Sequence, residues 1–572
     1  MFPRPWSVVL AGLLPLVGGP QPMQAQRSGA DDLVRHLDQV SLHEIRVVGC
    51  GREPAFCGGL QDIADRYTRE SEAFTGERLE QLRLELTQKY VDSGYVSSGA
   101  VIDDQPVVEG RITMRIIEGA APTINIQGNR WFRKSFYRDR IASGAGTLLN
   151  SYRLRDRLQQ LHLDDRVRRF DAKLRAVDEQ GRPYGGGASV LDVAVEERVP
   201  LSAGITFNNY QSPTVGPVRA AGNFAHESLT GRGDALRVGY GRSAGLNPQI
   251  SASYSLPVTA RDATVALGYR KNDFVVVEEP FQSLDISSKS EIFSLGFSAP
   301  ILLRNRPGGS EGRLVNERAS LGATLEHSIN QSYLFGQPFS FSAGATNGRS
   351  VVTALRLHQD WTRRTAKQVA NVSSRLSIGL NLLNPTIHRD VLPPGAVVGG
   401  GVKPPDGRFV AWLGQALVAR RFDRVREMQL ILKSDAQLAG SALLPLEQLP
   451  VGGRYSVRGY RQNQLVRDNA LTASVESRIP LFRGARPFGQ LQGAVFVDFG
   501  HGWNNRGNSR SGEKTLASAG VGVRWTGPRL GESPLQPDVE IYWGLPFHRI
   551  TTGNSGSLQD AGLHFQLSLG RL

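Results

Sequence analysis

The sequence predicts two small α+β modules followed by an all-β, 16-stranded transmembrane β-barrel. Three observations carry this. From residue 199 onward, short runs alternate apolar with polar residues, as strands do when one face meets lipid and the other a wet lumen. Between residues 42 and 198 the order strand, helix, helix, strand, strand occurs twice. Beyond the first twenty or so residues no apolar stretch is long enough for a membrane helix, so any crossing is made by strands.

The totals fit. Gly at 64, with only two Cys and four Met, suits a turn-rich β protein. The mean hydropathy of -0.26 looks soluble, but a barrel dilutes its average because alternate residues face water. Net charge is +14, or +13 without Arg4, the only charged residue before position 26. Such a balance invites a nucleic-acid partner. Against this, Lys and Arg are dispersed through strands and loops, with no zinc pattern and no compact basic helix, so nucleic acid is not expected. Basic loops facing anionic lipopolysaccharide, or a lumen conducting an unfolded chain, account for the charge.

Residues 1–25 read as a secretory signal peptide. Arg4 precedes the short apolar core Val8–Val17, and Met23-Gln24-Ala25 is a loose small-x-small cleavage site. Residues 26–41 are short and polar, with one helical possibility at Asp31–Val40. Cys50 and Cys57, the only cysteines, are expected to close a small loop as a disulfide in an oxidising compartment. His43 alone does not complete a metal site, and neither a metal nor another cofactor is expected.

The first module, residues 42–119, opens with a strand over Leu42–Val48. Helices follow over Leu60–Tyr67 and Gly76–Ser93, the second with Leu79, Leu82, Leu86 and Tyr90 on one face and Gly94 as its stop. Strands over Tyr95–Asp103 and Arg111–Glu118 close it. The second module, residues 120–198, repeats the order: strand Thr123–Gln127, helices Arg133–Ala142 and Asn150–Leu163, strands Arg168–Val177 and Ser189–Glu197.

Residues 199–572 leave about 23 residues per strand and connection for sixteen strands. Candidates begin near Leu201, Val218, Asp234, Gln249, Ala263, Ser287, Ala319, Val351, Val369, Phe409, Met428, Leu471, Gly489, Ala517, Asp538 and Gly562. Gly241-Arg-Ser-Ala-Gly245 formally matches a hydrolase elbow at Ser243, but that motif needs a following helix. Ile250, Ala252, Tyr254 and Leu256 alternate with Gln249, Ser251, Ser253 and Ser255 instead, which is another strand. The ten His are scattered and no phosphate-cradling Gly-Lys-Ser or Gly-Lys-Thr occurs, so no enzyme is expected.

One loop stands out. Residues 439–469 separate two alternating strands and contain Val451-Gly-Gly-Arg-Tyr-Ser-Val-Arg-Gly-Tyr460. Such a loop is able to fold back into the lumen. In the run Leu491–Gly500, the alternation turns Gln490, Gln492, Ala494, Phe496 and Asp498 inward. A carboxylate enclosed there needs a cation or donors.

The Val457-Arg458-Gly459-Tyr460 loop, followed by Phe496-x-Asp498-x-Gly500, resembles the superfamily of outer-membrane proteins that join periplasmic POTRA modules to a 16-stranded barrel. The resemblance implies that Arg458 sits in the lumen and pairs with Asp498. Within the superfamily, Asp92-Ser-Gly-Tyr-Val-Ser-Ser, Gln105-Pro and Glu109-Gly-Arg-Ile-Thr-Met-Arg-Ile-Ile-Glu-Gly119 resemble the first POTRA module of two-partner-secretion transporters of haemolysin and filamentous-adhesin type. This implies a monomeric outer-membrane transporter with its POTRA modules in the periplasm. It would recognise the N-terminal secretion domain of a large exoprotein and translocate it without ATP. Related transporters often carry a plug helix and linker before the modules, for which residues 26–41 leave little room. The chain ends Gly570-Arg571-Leu572, where related barrels usually end in Phe or Trp. Two other functions fit parts of the pattern: a barrel-assembly factor, which usually carries more modules, and a passive porin, which needs none.

Overall fold

The computed structural model describes residues 42–571 apart from 53, 70–74, 163, 178–187, 309–312, 343, 389–403, 424–426, 484–487, 507, 509–511, 530–534 and 551–555. The leader expected over 1–25 and the polar segment over 26–41 lie outside the described residues. The chain divides into two compact units, with the boundary in sequence between Val199 and Pro200.

In the first module, strand β1 (Glu44–Val48) lies parallel to β3 (Arg111–Ile117), and β2 (Gly99–Val101) pairs antiparallel on the other side of β3. Helices α1 (Pro54–Arg69) and α2 (Gly76–Asp92) cover one face of this sheet. The cause lies in the spacing. Leu79, Leu82, Leu86 and Tyr90 recur every three or four residues, and all four are fully buried. Ile112, Met114 and Ile116 alternate to meet them. Thr75 caps α2, its hydroxyl accepting from the Arg78 amide at 3.3 Å, and Gly94 at φ +88 follows the end.

Two expectations need correcting here. Helix α1 begins at Pro54 rather than Leu60, because proline suits a first turn whose amides have no helical acceptor. Cys57 therefore sits on that first turn, and its disulfide to Cys50, the short closure expected from the sequence, ties the turn to the chain just past β1. The strand expected over Tyr95–Asp103 shrinks to Gly99–Val101. Tyr95 instead follows the α2 cap and packs into the core, where its ring meets that of Tyr90 at 6.3 Å.

The second module repeats the plan. β4 (Thr123–Gln127) lies parallel to the central β6 (Ala188–Glu197), and β5 (Val167–Val177) pairs antiparallel with it. Phe136, Tyr137 and Ile141 of α3 (Lys134–Ala145) and Leu154 and Leu161 of α4 (Ser151–His162) fill the core. Asn150 joins the modules. Its Oδ1 accepts from the amides of Tyr152 and Arg153, capping α4, while its Nδ2 donates to the Ser93 carbonyl at the end of α2 at 3.0 Å.

In the second unit sixteen described strands follow one another round a closed barrel, every neighbour antiparallel. The last, Leu563–Arg571, pairs with the first, Leu201–Asn208, setting Gln566 opposite Asn208 and Gly570 opposite Gly204. Closure leaves no open edge, so backbone groups are satisfied where water is absent. Strand starts follow the sequence alternation closely. The largest offset is at Arg313–Leu334, expected from Ala319. Its first residues, Arg313 to Arg318, are mostly polar and show no alternation. Ser243 ends the strand Ala235–Ser243 and a second strand, Leu246–Pro257, follows at once; its hydroxyl donates to the Val215 carbonyl at 2.6 Å.

Candidate functional site

Side-chain alternation decides which residues face the lumen. In the strand Gln490–Trp503, Val495, Val497 and Phe499 are exposed on the outer surface, whereas Ala494, Phe496 and Asp498 are buried. Pairing carries the inner row to the neighbours: Ser474 stands opposite Asp498 and Glu476 opposite Phe496. One wall of the barrel thus presents two carboxylates to the interior.

Loop 439–469 descends onto that wall. It narrows to a short hairpin, Leu449–Val451 against Leu465–Arg467, whose tip carries the four residues 457–460. Val451, Val457, Tyr460 and Leu465 pack with Ala470 and Leu516 in a small apolar cluster. Close approach sets the composition. Gly459 has φ +90, and a Cβ there would lie 2.9 Å from the Gly544 backbone. A Cβ on Gly500 would meet Val457 at 2.8 Å, so the glycine of Phe496-x-Asp498-x-Gly500 makes room for the loop.

Arg458 is 2% exposed and Asp498 1%. The Arg458 Nε donates to Asp498 Oδ2 at 2.7 Å and its Nη2 to Oδ1 at 2.8 Å, a two-pronged contact, and its own amide adds a bond to Oδ2 at 3.0 Å. The Ser474 hydroxyl donates to Asp498 Oδ1 at 2.7 Å. Beneath the guanidinium lies the Phe496 ring, its centroid 3.5 Å away. Tyr460 donates its hydroxyl to the His548 carbonyl at 2.8 Å. The structure therefore brings together Val457, Arg458, Gly459, Tyr460, Phe496, Asp498 and Gly500, while Cys50 and Cys57 lie in the first POTRA-like module.

Several partners were not singled out from sequence. Glu476 takes the third arm of Arg458 through Nη1, and also accepts from Arg478 at 2.5 Å and from the Tyr542 hydroxyl at 3.0 Å. Arg454 binds Glu540 at 3.1 Å, which Tyr210 and Arg524 also reach. Arg461 pairs with Glu278 at 2.6 Å and with Asp560. At the neck, Asp468 is fully buried and accepts from the amides of Leu443 and Asn505 and the side chains of Gln448 and Asn508. Glu476 sat among the polar alternates of its strand, the signal that could have found it. These contacts hold a loop in place.

Two α+β modules ahead of a closed 16-stranded barrel whose loop lies inside its lumen define a POTRA-plus-barrel protein of the outer membrane. The profile of the family described as haemolysin secretion/activation protein ShlB/FhaC/HecB matches residues 187–525, more than half of the chain, and that of the ShlB-type POTRA domain matches residues 59–119. The chain belongs to this family, whose members are outer-membrane transporters, and its POTRA modules are periplasmic. It is 24% identical over 395 residues to the outer membrane transporter CdiB of Dickeya dadantii (strain 3937). That match spans 68% of this chain and 63% of the relative, under two thirds of the latter's length. The fold is that of solved CdiB structures from Escherichia coli (TM-score 0.64) and Acinetobacter baumannii (TM-score 0.59). Both are 18% identical, with 93% of this chain and 90% of each of those chains covered.

Proposed function

We propose that this protein translocates one large haemolysin- or adhesin-like exoprotein across the outer membrane, and that its lumen loop must be held by Arg458 for transport to proceed. The observation that carries the reading is the seating of Arg458 between Asp498 and Glu476 on the inner wall. The POTRA pair catches the N-terminal secretion domain of the unfolded partner. Sheet edges support capture by strand addition, since β5 and β4 flank β6 with a neighbour on one side only among the described residues. The partner then crosses as an extended chain, drawn by its own folding outside, with no ATP. The protein acts as a monomer, its apolar outer face against lipid and its basic loops against lipopolysaccharide. A passive porin is disfavoured because an ion-paired loop occupies the lumen. Co-expression with a candidate haemolysin- or adhesin-like exoprotein that carries an N-terminal secretion domain tests the proposal: the partner is expected in the medium only when this protein is present. Secretion in its absence would refute it.

A further inference from the structure

A second ionic contact fixes the loop, on a part of the wall that the Arg458 site does not use. Glu447 ends a short helical turn, Pro445–Glu447, on the descending limb of the loop. Its two oxygens accept from Arg356, Oε1 from Nη2 at 2.8 Å and Oε2 from Nη1 at 3.0 Å. That is the parallel fork by which a guanidinium recognises a carboxylate. Arg356 belongs to the wall strand Arg349–Arg364 and is braced there by Glu326 at 2.7 Å and by the Ser377 hydroxyl at 2.9 Å. Both side chains of the pair are nearly enclosed, at 10% and 5% exposure.

The wall around this pair carries more positive charge than the pair consumes. Arg270 reaches Glu326 at 3.2 Å. Arg375 lies two residues before Ser377 on the same strand and so on the same lumen-facing row. It is exposed, it makes no side-chain hydrogen bond or ion pair among the described residues, and it lies within electrostatic reach of Arg356, Glu326 and Glu447. Of these five charged groups only Glu447 comes from the loop. Without it, the three guanidinium groups of this set share one carboxylate, that of Glu326.

We propose that Arg356 and Arg375 form a carboxylate-binding site in the lumen wall. Glu447 fills it while the loop is seated, and acidic side chains of an extended polypeptide fill it when the loop withdraws. Glu447 is thus a built-in occupant that the passing chain replaces, which gives the conduit a preference for acidic segments. The second half of this statement rests on the transport reading above.

The test uses the full chain in planar bilayers, with N-acetylated, C-amidated hexaglutamate and hexaserine as probes. In E447Q, Arg356 keeps Glu326 as its partner, so the barrel is expected to fold and retain heat-modifiable mobility. E447Q, alone or combined with R458A, is expected to raise the mean current several-fold over the matching parent. Hexaglutamate blocks that current and hexaserine does not. The half-blocking concentration of hexaglutamate rises roughly tenfold when R375Q is added to the E447Q background. Current unchanged by E447Q in both backgrounds overturns the seated-loop half. Equal block with and without Arg375, or equal block by hexaserine, overturns the binding site. Since no secreted partner is needed, block that depends on Arg375 in a protein that secretes nothing supports the site and refutes the transport reading instead.

Discussion

Arg458 meets two carboxylates rather than the one that sequence suggested, and this changes what its substitution does. Arg458→Ala leaves Asp498 and Glu476 enclosed, with side chains 0% and 6% exposed. Stranding a buried charge costs about 3–5 kcal/mol, and here the loss falls on the seating of the loop. Faster amide hydrogen exchange is therefore expected across residues 452–462, with little change in the barrel strands. Arg458→Lys should restore protection only in part, because an ammonium cannot make the planar fork with Asp498 or lie flat on Phe496. The exchange Arg458→Asp with Asp498→Arg sets a new carboxylate beside Glu476. Loop protection should recover further when Glu476→Gln is added, and equal protection without it would show that Glu476 is not a partner. Arg458 and Asp498 were legible because a loop motif and a strand alternation each name one residue. Glu476 was not, because several polar side chains share its inward row and only the register opposite Phe496 sets it level with the guanidinium.

At the scale of the element, the helices legible in the sequence are those whose apolar spacing is unbroken. The Leu79, Leu82, Leu86 and Tyr90 face of α2 is one. Leu82→Ala should cost the first module about 2–5 kcal/mol, read as a lower unfolding midpoint of the periplasmic unit. The first turns of α1 were hidden because Pro54, Gly58 and Gly59 read as loop, whereas the disulfide and the burial of Leu60 and Ala64 outweigh their poor propensity. Non-reduced digests of exported protein should contain one peptide linking Cys50 to Cys57; two free thiols would contradict this. A bridge over so short a loop contributes about 2–3 kcal/mol. In the second module, burial pushes the Asp164 carboxyl up, but the Arg166 guanidinium and amide outweigh it and hold it below the usual carboxylate range. The folded state thus binds its proton less readily than the unfolded state. That stability is complete above the ordinary carboxylate range and is lost as pH falls below it. Asp164→Asn should flatten the acid limb of the module's stability profile, measured at low pH by hydrogen exchange.

For the molecule as a whole, the barrel was readable almost strand by strand, since lipid and water impose opposite demands on successive residues such as Val495, Phe496 and Val497. The path of the loop inside it was not, because no period marks which loop turns inward; only Arg458 and its glycine neighbours hinted at it. Fractionation should place the protein in outer membranes with heat-modifiable mobility, and a soluble, natively structured periplasmic product would rule out the barrel. The most direct measurement is secretion of the cognate exoprotein by Arg458→Ala, normalised to the amount of folded barrel. The account expects normal assembly with secretion reduced about tenfold or more, the scale of losing a buried charge contact. Secretion at the parent level from an equally folded barrel would contradict it.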